Sequence, residues 1–459
     1  MVLEQIQAVY FIGAGGIGMS ALIRYFLSKG IRVAGYDRTP SPLTGRLISE
    51  GADIHFQDNV DLVPEPFKNL PYTLVVYTPA VDETHSELTY FRTNGFEVLK
   101  RSQILGLITK SNRGLCIAGT HGKTTVTSMT AYLLKQSHVD CNAFLGGILK
   151  NTGSNLMLSD RSDLTVIEAD EYDRSFHQLS PYMAVITAAD PDHLDIYGTP
   201  AEYRKSFEHF TSLIRPQGAL IMAADAPLTP QLHDGVKLYT YSANNQSADF
   251  HATNIRVSNR EFFFDFVGPD MLIQDIQLGV PVRVNVENSV AAIALASLNG
   301  VTPDEIRAAI QSFAGVERRF DVRLKKENLV YIDDYAHHPE ELRNSILSVK
   351  ELYADRKVTG IFQPHLYTRT RDFAAEFAQS LSLLDELILL DIYPAREEPI
   401  PGITSQVIFD QVTIPHKTLC TKAQLPAIIA SGHYEVVLTL GAGDIDRLVQ
   451  PIQEILASK

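Results

Sequence analysis

Cysteine is scarce: Cys116, Cys141 and Cys420 are the only three in 459 residues. They are far apart, odd in number and in no CxxC or zinc spacing, so neither a disulfide framework nor a cysteine zinc site is expected. Buried thiols in a reducing compartment are expected instead. No apolar stretch approaches the ~18 residues of a membrane span, so no transmembrane helix is expected. The opening Met-Val-Leu-Glu-Gln-Ile-Gln has no basic segment ahead of an apolar run, and no secretory leader is read there. A surplus of positive charge is also missing. The net charge is −14, with acids spread along the chain, whereas general binding to nucleic acid or anionic membrane needs a basic surface. Neither partner is expected, although local Arg, Lys and backbone N–H groups can still hold an anionic small molecule. Short repeats and low-complexity tracts are absent. What remains is a globular chain of ordinary composition, 45% apolar and 20% charged, with the cytoplasm as expected location. The length suggests about three domains.

What is present is a strand–helix alternation in three cycles. Gln7–Ile12 is an apolar run, Ile17–Lys29 has helical spacing and stops at Gly30, and Ile31–Tyr36 is a second strand ending at Asp37. This βαβ pattern implies a parallel sheet. Leu74–Tyr77 and Ser86–Asn94 continue it as strand and helix. A polar joint at 110–114 starts the second cycle, with strand Leu115–Ala118, a Gly-rich loop, helix Val126–Gln136, and strands Leu164–Ile167 and Met183–Thr187. Pro200–Ile214 reads as helix, 249–284 as an antiparallel β ribbon, and Asn288–Leu298 and Pro303–Phe313 as helices. The third cycle follows Gly315, with strands Leu329–Ile332, Val358–Phe362, Glu386–Leu390 and Glu435–Leu440 and helix Pro339–Tyr353. The expected fold is three consecutive α/β domains: a Rossmann-like domain over 1–108, a central P-loop-ATPase-like domain with an added ribbon over 109–315, and a Rossmann-like domain over 316–459. Ligands in such sheets sit beyond the C-terminal strand ends.

The unusual residues cluster at those ends. Gly13-Ala14-Gly15-Gly16-Ile17-Gly18, followed by Met19-Ser20, fits G-x-G-x-x-G, and Asp37 follows Gly18 by 19 residues, close to the ~20 of an NAD-binding acid. Read alone, this is a dehydrogenase loop. The second loop, Gly119-Thr120-His121-Gly122-Lys123-Thr124-Thr125, argues otherwise. Backbone N–H groups at a helix N-terminus bind phosphate, Lys123 would reach the β- and γ-phosphates of ATP, and the Thr124 hydroxyl would hold Mg²⁺. The P-loop pattern is not fully met, because Ile117 stands where its first glycine belongs. A triphosphate needs a metal, and carboxylates follow two neighbouring strands: Glu168-Ala169-Asp170-Glu171-Tyr172-Asp173 and Asp190-Pro191-Asp192-His193-Leu194-Asp195. The third cycle adds Arg318-Arg319, Asp333-Asp334-Tyr335-Ala336-His337-His338, and His365-Leu366-Tyr367-Thr368-Arg369-Thr370-Arg371. Arginine suits carboxylate and phosphate through its bidentate fork.

Eight stretches in one order resemble the Mur ligase family: Gly13–Ser20, Gly119–Thr125, Glu168–Asp173, Asp192–Gly198, Gly315–Phe320, Asp333–Pro339, Phe362–Thr370 and Asp391–Ser405. The family loop is G-T-x-G-K-T-T, which accounts for Ile117. The resemblance implies transfer of the ATP γ-phosphate to a substrate carboxylate, attack of an amino-acid amine on the acyl phosphate, and release of phosphate. It implies UDP-N-acetylmuramate, L-alanine and ATP as partners and Mg²⁺ as metal, and says nothing of oligomeric state. By resemblance Thr124, Glu171 and His193 lie at the metal; Asn288, Arg319 and Asp334 contact the nucleotide; Tyr335, His337, His365 and Arg369 serve the muramoyl and amino-acid ends. His193, His337 or His365 could be the general base. The Gly13–Ser20 loop, with Asp37 and Thr78, then holds the UDP end. Leu366 departs from a frequent family arginine, leaving Arg369 or Arg371 for the amino-acid carboxylate. Asp190-Pro191 departs from the usual Asn or Glu. The rivals are a ligase that joins a free tripeptide to the same UDP-sugar, disfavoured by the Asp192–Gly198 and Arg396–Gly402 stretches, an NAD-dependent oxidoreductase, and a non-catalytic nucleotide switch. Groups from three domains must meet on one substrate, so closure on binding is expected.

Overall fold

The computed structural model describes residues 6–395 and 397–459. Met1–Gln5, where no leader was read, and Arg396 lie outside the described residues. Strands β1 Ala8–Ile12, β2 Arg32–Tyr36, β3 Asp53–His55, β4 Thr73–Tyr77 and β5 Glu97–Lys100 form a parallel sheet in the order β3-β2-β1-β4-β5. β1 and β4 are buried along their whole length, as strands covered on both faces must be, and therefore read as continuous apolar runs. The strand order reverses between β1 and β4. That reversal opens the crevice where such sheets take ligands, and both Gly13 and Thr78 stand at it.

The central sheet uses β6 Arg113–Ala118, β7 Asn142–Leu149, β8 Ser154–Met157, β9 Leu164–Glu168, β10 Met183–Ile186, β11 Ala219–Ala223 and β12 Lys237–Ser242, in the order β12-β11-β10-β6-β9-β7-β8. Only the β7–β8 pair is antiparallel among these. β6 lies between β10 and β9, so the second loop, too, leaves its sheet at an order reversal. The ribbon follows as β13 Phe250–Ser258, β14 Glu261–Gly268 and β15 Met271–Gln277, joined to β12 by Tyr241 against Phe250 and Ser242 against His251. The last sheet comprises β16 Asp321–Lys325, β17 Val330–Asp334, β18 Val358–Phe362, β19 Glu386–Leu390, β20 Lys417–Cys420 and β21 Val436–Leu440, in the order β16-β17-β21-β18-β19-β20, with β16 antiparallel to β17. Among the described residues no helix is long and apolar enough to cross a membrane.

By contact the chain divides into two compact units. One holds Met1–Thr253, Asp265–Gln274 and Asn288–Ser312; the other holds Asn254–Phe264, Asp275–Glu287 and Phe313–Lys459. The first two α/β domains therefore share a unit, and they share a core as well. Val9, Phe11, Leu22 and Phe26 belong to the same buried cluster as Cys116, Phe144, Ile167 and Phe207, and the Tyr25 and Phe144 rings lie 5.5 Å apart. Asn155 Nδ2 donates to Ile17 O (2.7 Å) and Ser20 Oγ (2.9 Å), while Arg24 Nη1 donates to Asn155 Oδ1 (2.6 Å). The helix Ile17–Ser28 that begins at the first loop is thus bolted to the central sheet.

The other face of the first sheet packs Tyr10, Tyr36, Phe67 and Phe91 around a polar knot. Tyr10 Oη donates to Glu87 Oε2 (2.8 Å), lies 2.7 Å from His55 Nε2, and Asn59 N–H donates to Glu87 Oε1 (3.1 Å). Glu87 is fully buried, and burial pushes its carboxyl up to about 7.

Candidate functional site

At the first loop, Gly13 has φ +89°, and a Cβ there would overlap the Thr78 methyl. Only glycine fits. The Gly13 and Ala14 amides donate to Tyr36 O (2.8 and 2.9 Å), and the Gly15 amide donates to Asp37 Oδ2 (2.6 Å). Asp37 Oδ1 also takes the Thr39 amide (3.0 Å). Three of the expected substrate-binding amides therefore turn inward, and Asp37 braces the loop. The Met19 and Ser20 amides both donate to Gly16 O (3.0 Å each), so the N–H groups that stand ready for an anion at the start of helix Ile17–Ser28 are those of Ile17 and Gly18. A cavity of about 220 Å³ opens there, with Gly16, Gly18 and Thr78 on one side and Gly146, Glu168 and Asp170 on the other. Arg101 also lines it.

The second loop leaves β6 with Gly119 at φ +144°, where a Cβ would overlap Thr187 Oγ1, the residue after β10. Gly122 caps helix Lys123–Gln136 at φ +81°, and a Cβ on it would stand 2.9 Å from the Oδ1 of buried Asn288. This sets Asn288 against the phosphate turn. Thr120 N–H donates to Ala188 O (3.1 Å) and Thr120 Oγ1 to Asp190 O (2.7 Å), while Thr187 Oγ1 donates to His121 O. The loop is held rigid by the strand end beside it. Thr124 is buried in the first helical turn and Thr125 is half-buried.

Lys123 Nζ donates to Gly119 O (2.5 Å) and to Glu171 Oε1 (2.7 Å). Burial opposes the ammonium, but Glu171 and Glu168 outweigh it and hold Lys123 above its ordinary range. Burial also pushes the Glu171 carboxyl up to about 7, against the pull of Lys123. His193 Nε2 stands 4.0 Å from Glu171 Oε1 and 3.8 Å from Asp192 Oδ2. Its backbone is left-handed at φ +51°, a strained conformation for a non-glycine. Glu171 Oε2 is buried without a hydrogen-bond partner. Among the described residues no three His, Cys, Asp or Glu side chains form a metal cage. A magnesium ion bound through one carboxylate, a hydroxyl and phosphate oxygens does not need one; Glu171 and Thr124 fit that oxygen donor set, with the His193 imidazole beside Glu171.

In the second unit, Arg318 Nε donates to buried Asp333 (3.2 Å) and its Nη2 to Gly441 O (2.7 Å). Arg318 and Arg319 both lie over the Tyr335 ring, at 5.2 and 4.9 Å. Asp334 accepts from Phe320 N–H (3.3 Å) and Ser345 Oγ, so it fixes the Arg318–Phe320 turn, and burial raises its pKa. Tyr335, His337 and His365 converge, with ring centroids 5.3 and 5.9 Å apart in succession. His337 Nδ1 is 3.1 Å from Tyr335 O and 3.2 Å from Glu341. Of the two arginines left by Leu366, Arg371 is paired with Asp372, whereas Arg369 buries an Nη1 without a hydrogen-bond partner. Arg369 therefore keeps a donor to spare, which Arg371 has committed to Asp372. Leu366 itself has φ +71° and donates to Tyr393 O (2.9 Å).

Sequence reasoning did not single out Arg101 or Thr187. Thr187 ends the strand read as Met183–Thr187, where the strand-end rule would have found it, whereas Arg101 follows β5, a strand the sequence reading did not contain.

Three family models tile the chain: "Mur ligase family, catalytic domain" over residues 8–113, "Mur ligase middle domain" over 117–296 and "Mur ligase, glutamate ligase domain" over 318–443. A Parabacteroides distasonis protein named UDP-N-acetylmuramate–L-alanine ligase is 68% identical over 459 residues, covering 100% of this chain and 99% of the relative. The crystal structure of a Thermotoga maritima UDP-N-acetylmuramate–alanine ligase superposes with a TM-score of 0.84 at 28% identity, covering 98% of this chain and 99% of that one. A murein peptide ligase from Psychrobacter arcticus superposes at 0.70 with 22% identity over 99% of both chains, a likeness of fold alone.

Proposed function

The chain belongs to the Mur ligase family, and from that premise we propose that it joins L-alanine to the carboxylate of UDP-N-acetylmuramate with hydrolysis of ATP, in peptidoglycan synthesis. The observation that carries this reading is the full-length 68% identity to a ligase of that name, on a chain whose Lys123, Glu171 and His193 meet at the second loop. The domain boundaries are 1–108, 109–315 and 316–459, and the nucleotide substrates place the reaction in the cytoplasm.

The substrate carboxylate attacks the ATP γ-phosphorus and ADP leaves. The L-alanine amine adds to the acyl phosphate carbon, and the tetrahedral intermediate expels phosphate. Phosphoryl transfer of this kind is mostly positioning and charge neutralisation. Lys123 follows the γ-phosphate charge, and in doing so exchanges Gly119 O and Glu171 for phosphate oxygens. Thr124, Glu171 and His193 would hold Mg²⁺, which when bound would supply charge neutralisation for the phosphate oxygens. Asn288 bears on the adenine side, and Arg319 and Asp334 belong to the nucleotide contacts of the third domain. Helix Ile17–Ser28 presents its N-terminus to the pyrophosphate of UDP, with Gly13–Ser20, Asp37 and Thr78 shaping that end. Arg369 takes the alanine carboxylate beside Tyr335, His337 and His365. One of His193, His337 and His365 removes the amine proton.

The test is phosphate release and amide formation with ATP, UDP-N-acetylmuramate and a panel of amine substrates. L-Alanine is expected to be preferred. A strong preference for a murein tripeptide overturns the assignment in favour of the recycling ligase, and turnover of NADH in place of ATP overturns it altogether.

A further inference from the structure

Arg101 opens helix Arg101–Ser111, immediately after β5. Its guanidinium lies directly over Gly18, so close that a Cβ on Gly18 would overlap Nη1. The third glycine of a dinucleotide fingerprint ordinarily permits close helix–strand packing. Here it makes room for a cation. Arg101 Nη2 donates to Asp170 Oδ2 at 3.1 Å. Asp170 Oδ1 in turn accepts the Tyr172 amide (3.1 Å), and Asp170 O accepts the Phe176 amide (2.9 Å). Asp170 therefore anchors the turn that carries Glu171, which pairs with Lys123. One residue earlier, Lys100 Nζ donates to Asp173 Oδ2 (2.6 Å) in the same acidic turn, where Asp173 and Arg174 both have left-handed backbones at φ +53°. The cavity at the first loop is lined by Gly18, Arg101 and Asp170 together.

Two facts follow from chemistry. An anion at the N-terminus of helix Ile17–Ser28 gains backbone N–H groups and the helix dipole, but the loop has no lysine or arginine of its own. The wall opposite carries Glu168 and Asp170, which repel an anion. The one cation lining the cavity is Arg101, and Asp170 already engages it.

We propose that Arg101 is the side chain that reads the anionic link of the UDP-sugar at the first loop, and that Asp170 competes for it until the substrate arrives. This inference rests on the ligase reading above. When the diphosphate enters, the guanidinium turns its fork toward phosphate oxygens, a bidentate match that a lysine cannot reproduce. Asp170 is released from the guanidinium while it keeps the Tyr172 and Phe176 amides, and its charge is uncovered one residue from the Glu171 that pairs with Lys123. Substrate binding at one loop thereby alters the acid next to the other.

The alternative is that the Arg101–Asp170 pair merely latches two domains together, and the experiment separates the two. Equilibrium binding of UDP-N-acetylmuramate is measured by calorimetry without ATP or metal, for the full chain and for Arg101→Ala, Arg101→Lys and Asp170→Asn. A latch broken from either side weakens binding equally. Under the proposal the signs differ: Arg101→Ala loses about ten- to a hundredfold, the range of a lost charge-assisted pair, Arg101→Lys recovers only part of it, and Asp170→Asn binds as tightly as the unaltered protein or more tightly. Thermal unfolding of each variant, with UDP binding as a second readout, distinguishes lost contacts from lost fold. Equal losses for the Arg101 and Asp170 variants overturn the inference, as does unchanged affinity in Arg101→Ala. Failure of the unaltered protein to bind UDP-N-acetylmuramate overturns the ligase reading instead.

Discussion

The molecule builds two glycine loops on the same plan and uses them differently. Each leaves a central parallel strand at an order reversal, each turns on a left-handed glycine whose missing Cβ admits a threonine from the neighbouring strand end, and each opens a helix. Gly13 meets Thr78; Gly119 meets Thr187. The second loop carries its own cation, Lys123, folded back on Gly119 O and Glu171. The first carries none, and the cation over it comes from another part of the chain. A cation inside the loop moves with the phosphate it serves, which suits a group in transfer. A cation supplied from outside suits a group that is only held. On the proposed reading, backbone geometry suits both loops to phosphate, and the origin of the positive charge separates the group that reacts from the group that is held.

The comparison can be broken most severely at Lys123. Lys123→Met should lower the ligation rate by about 10²–10³-fold or more, the scale for removing one preorganised donor at a developing charge, while UDP-N-acetylmuramate binding without ATP stays within a few-fold. Phosphate release and calorimetry read the two halves. Next comes pH. Protonated Glu171 can neither pair with Lys123 nor bind a cation. With its carboxyl near 7, kcat/KM for ATP should fall about tenfold per unit as pH drops below that value and level off above it. A slow Glu171→Gln variant should lack this acid limb; retention of the limb would assign it to another group.

The two glycines give the third comparison. Gly119→Ala and Gly13→Ala each force a positive φ and an overlap with threonine, at about 1–3 kcal/mol for the backbone strain alone. Both should lower the unfolding temperature. Gly119→Ala should weaken ATP binding and Gly13→Ala UDP-sugar binding, and a crossed pattern would refute the division of labour. The smallest effect concerns the buried carboxyl behind the first loop's strand. Glu87 has its pKa raised above the unfolded value to about 7, so its contribution to stability is full at acid pH and is lost as pH rises through 7. Glu87→Gln should therefore gain about 1–3 kcal/mol relative to the unaltered protein between pH 5 and 8. Calorimetric unfolding across that range checks the sign.

Both loops, the acidic turn and the Arg/His stretches of the third domain were legible because each is a contiguous run at the end of an apolar strand. Several buried strands were found within a residue or two: β18 and β19 have the expected bounds, and β4 begins one residue early, but the fully buried β11 and the eight-residue β7 were missed. Four others that escaped have physical reasons to. β3 has three residues, β16 and β20 are partly exposed and carry polar or charged residues, and β8 shows alternation over only four positions. Asp37 imitates the ribose-binding acid by spacing, and only the Gly15 amide at 2.6 Å reveals a brace. Arg101 was out of reach altogether. Nothing local links it to Gly18, and the two meet because β5 and β1 flank β4 in one sheet.

Asn155, an interior residue of a short strand, receives the first loop's helix through Ile17 O, Ser20 Oγ and Arg24. Two modules that look separable in the chain are therefore poor units of exchange. Grafting the first hundred or so residues of a distant relative onto this chain would bring a helix evolved to sit on a different Asn155 and Phe144. Recombination between family members, in nature or by hand, should succeed where the segments on both sides of this seam travel together.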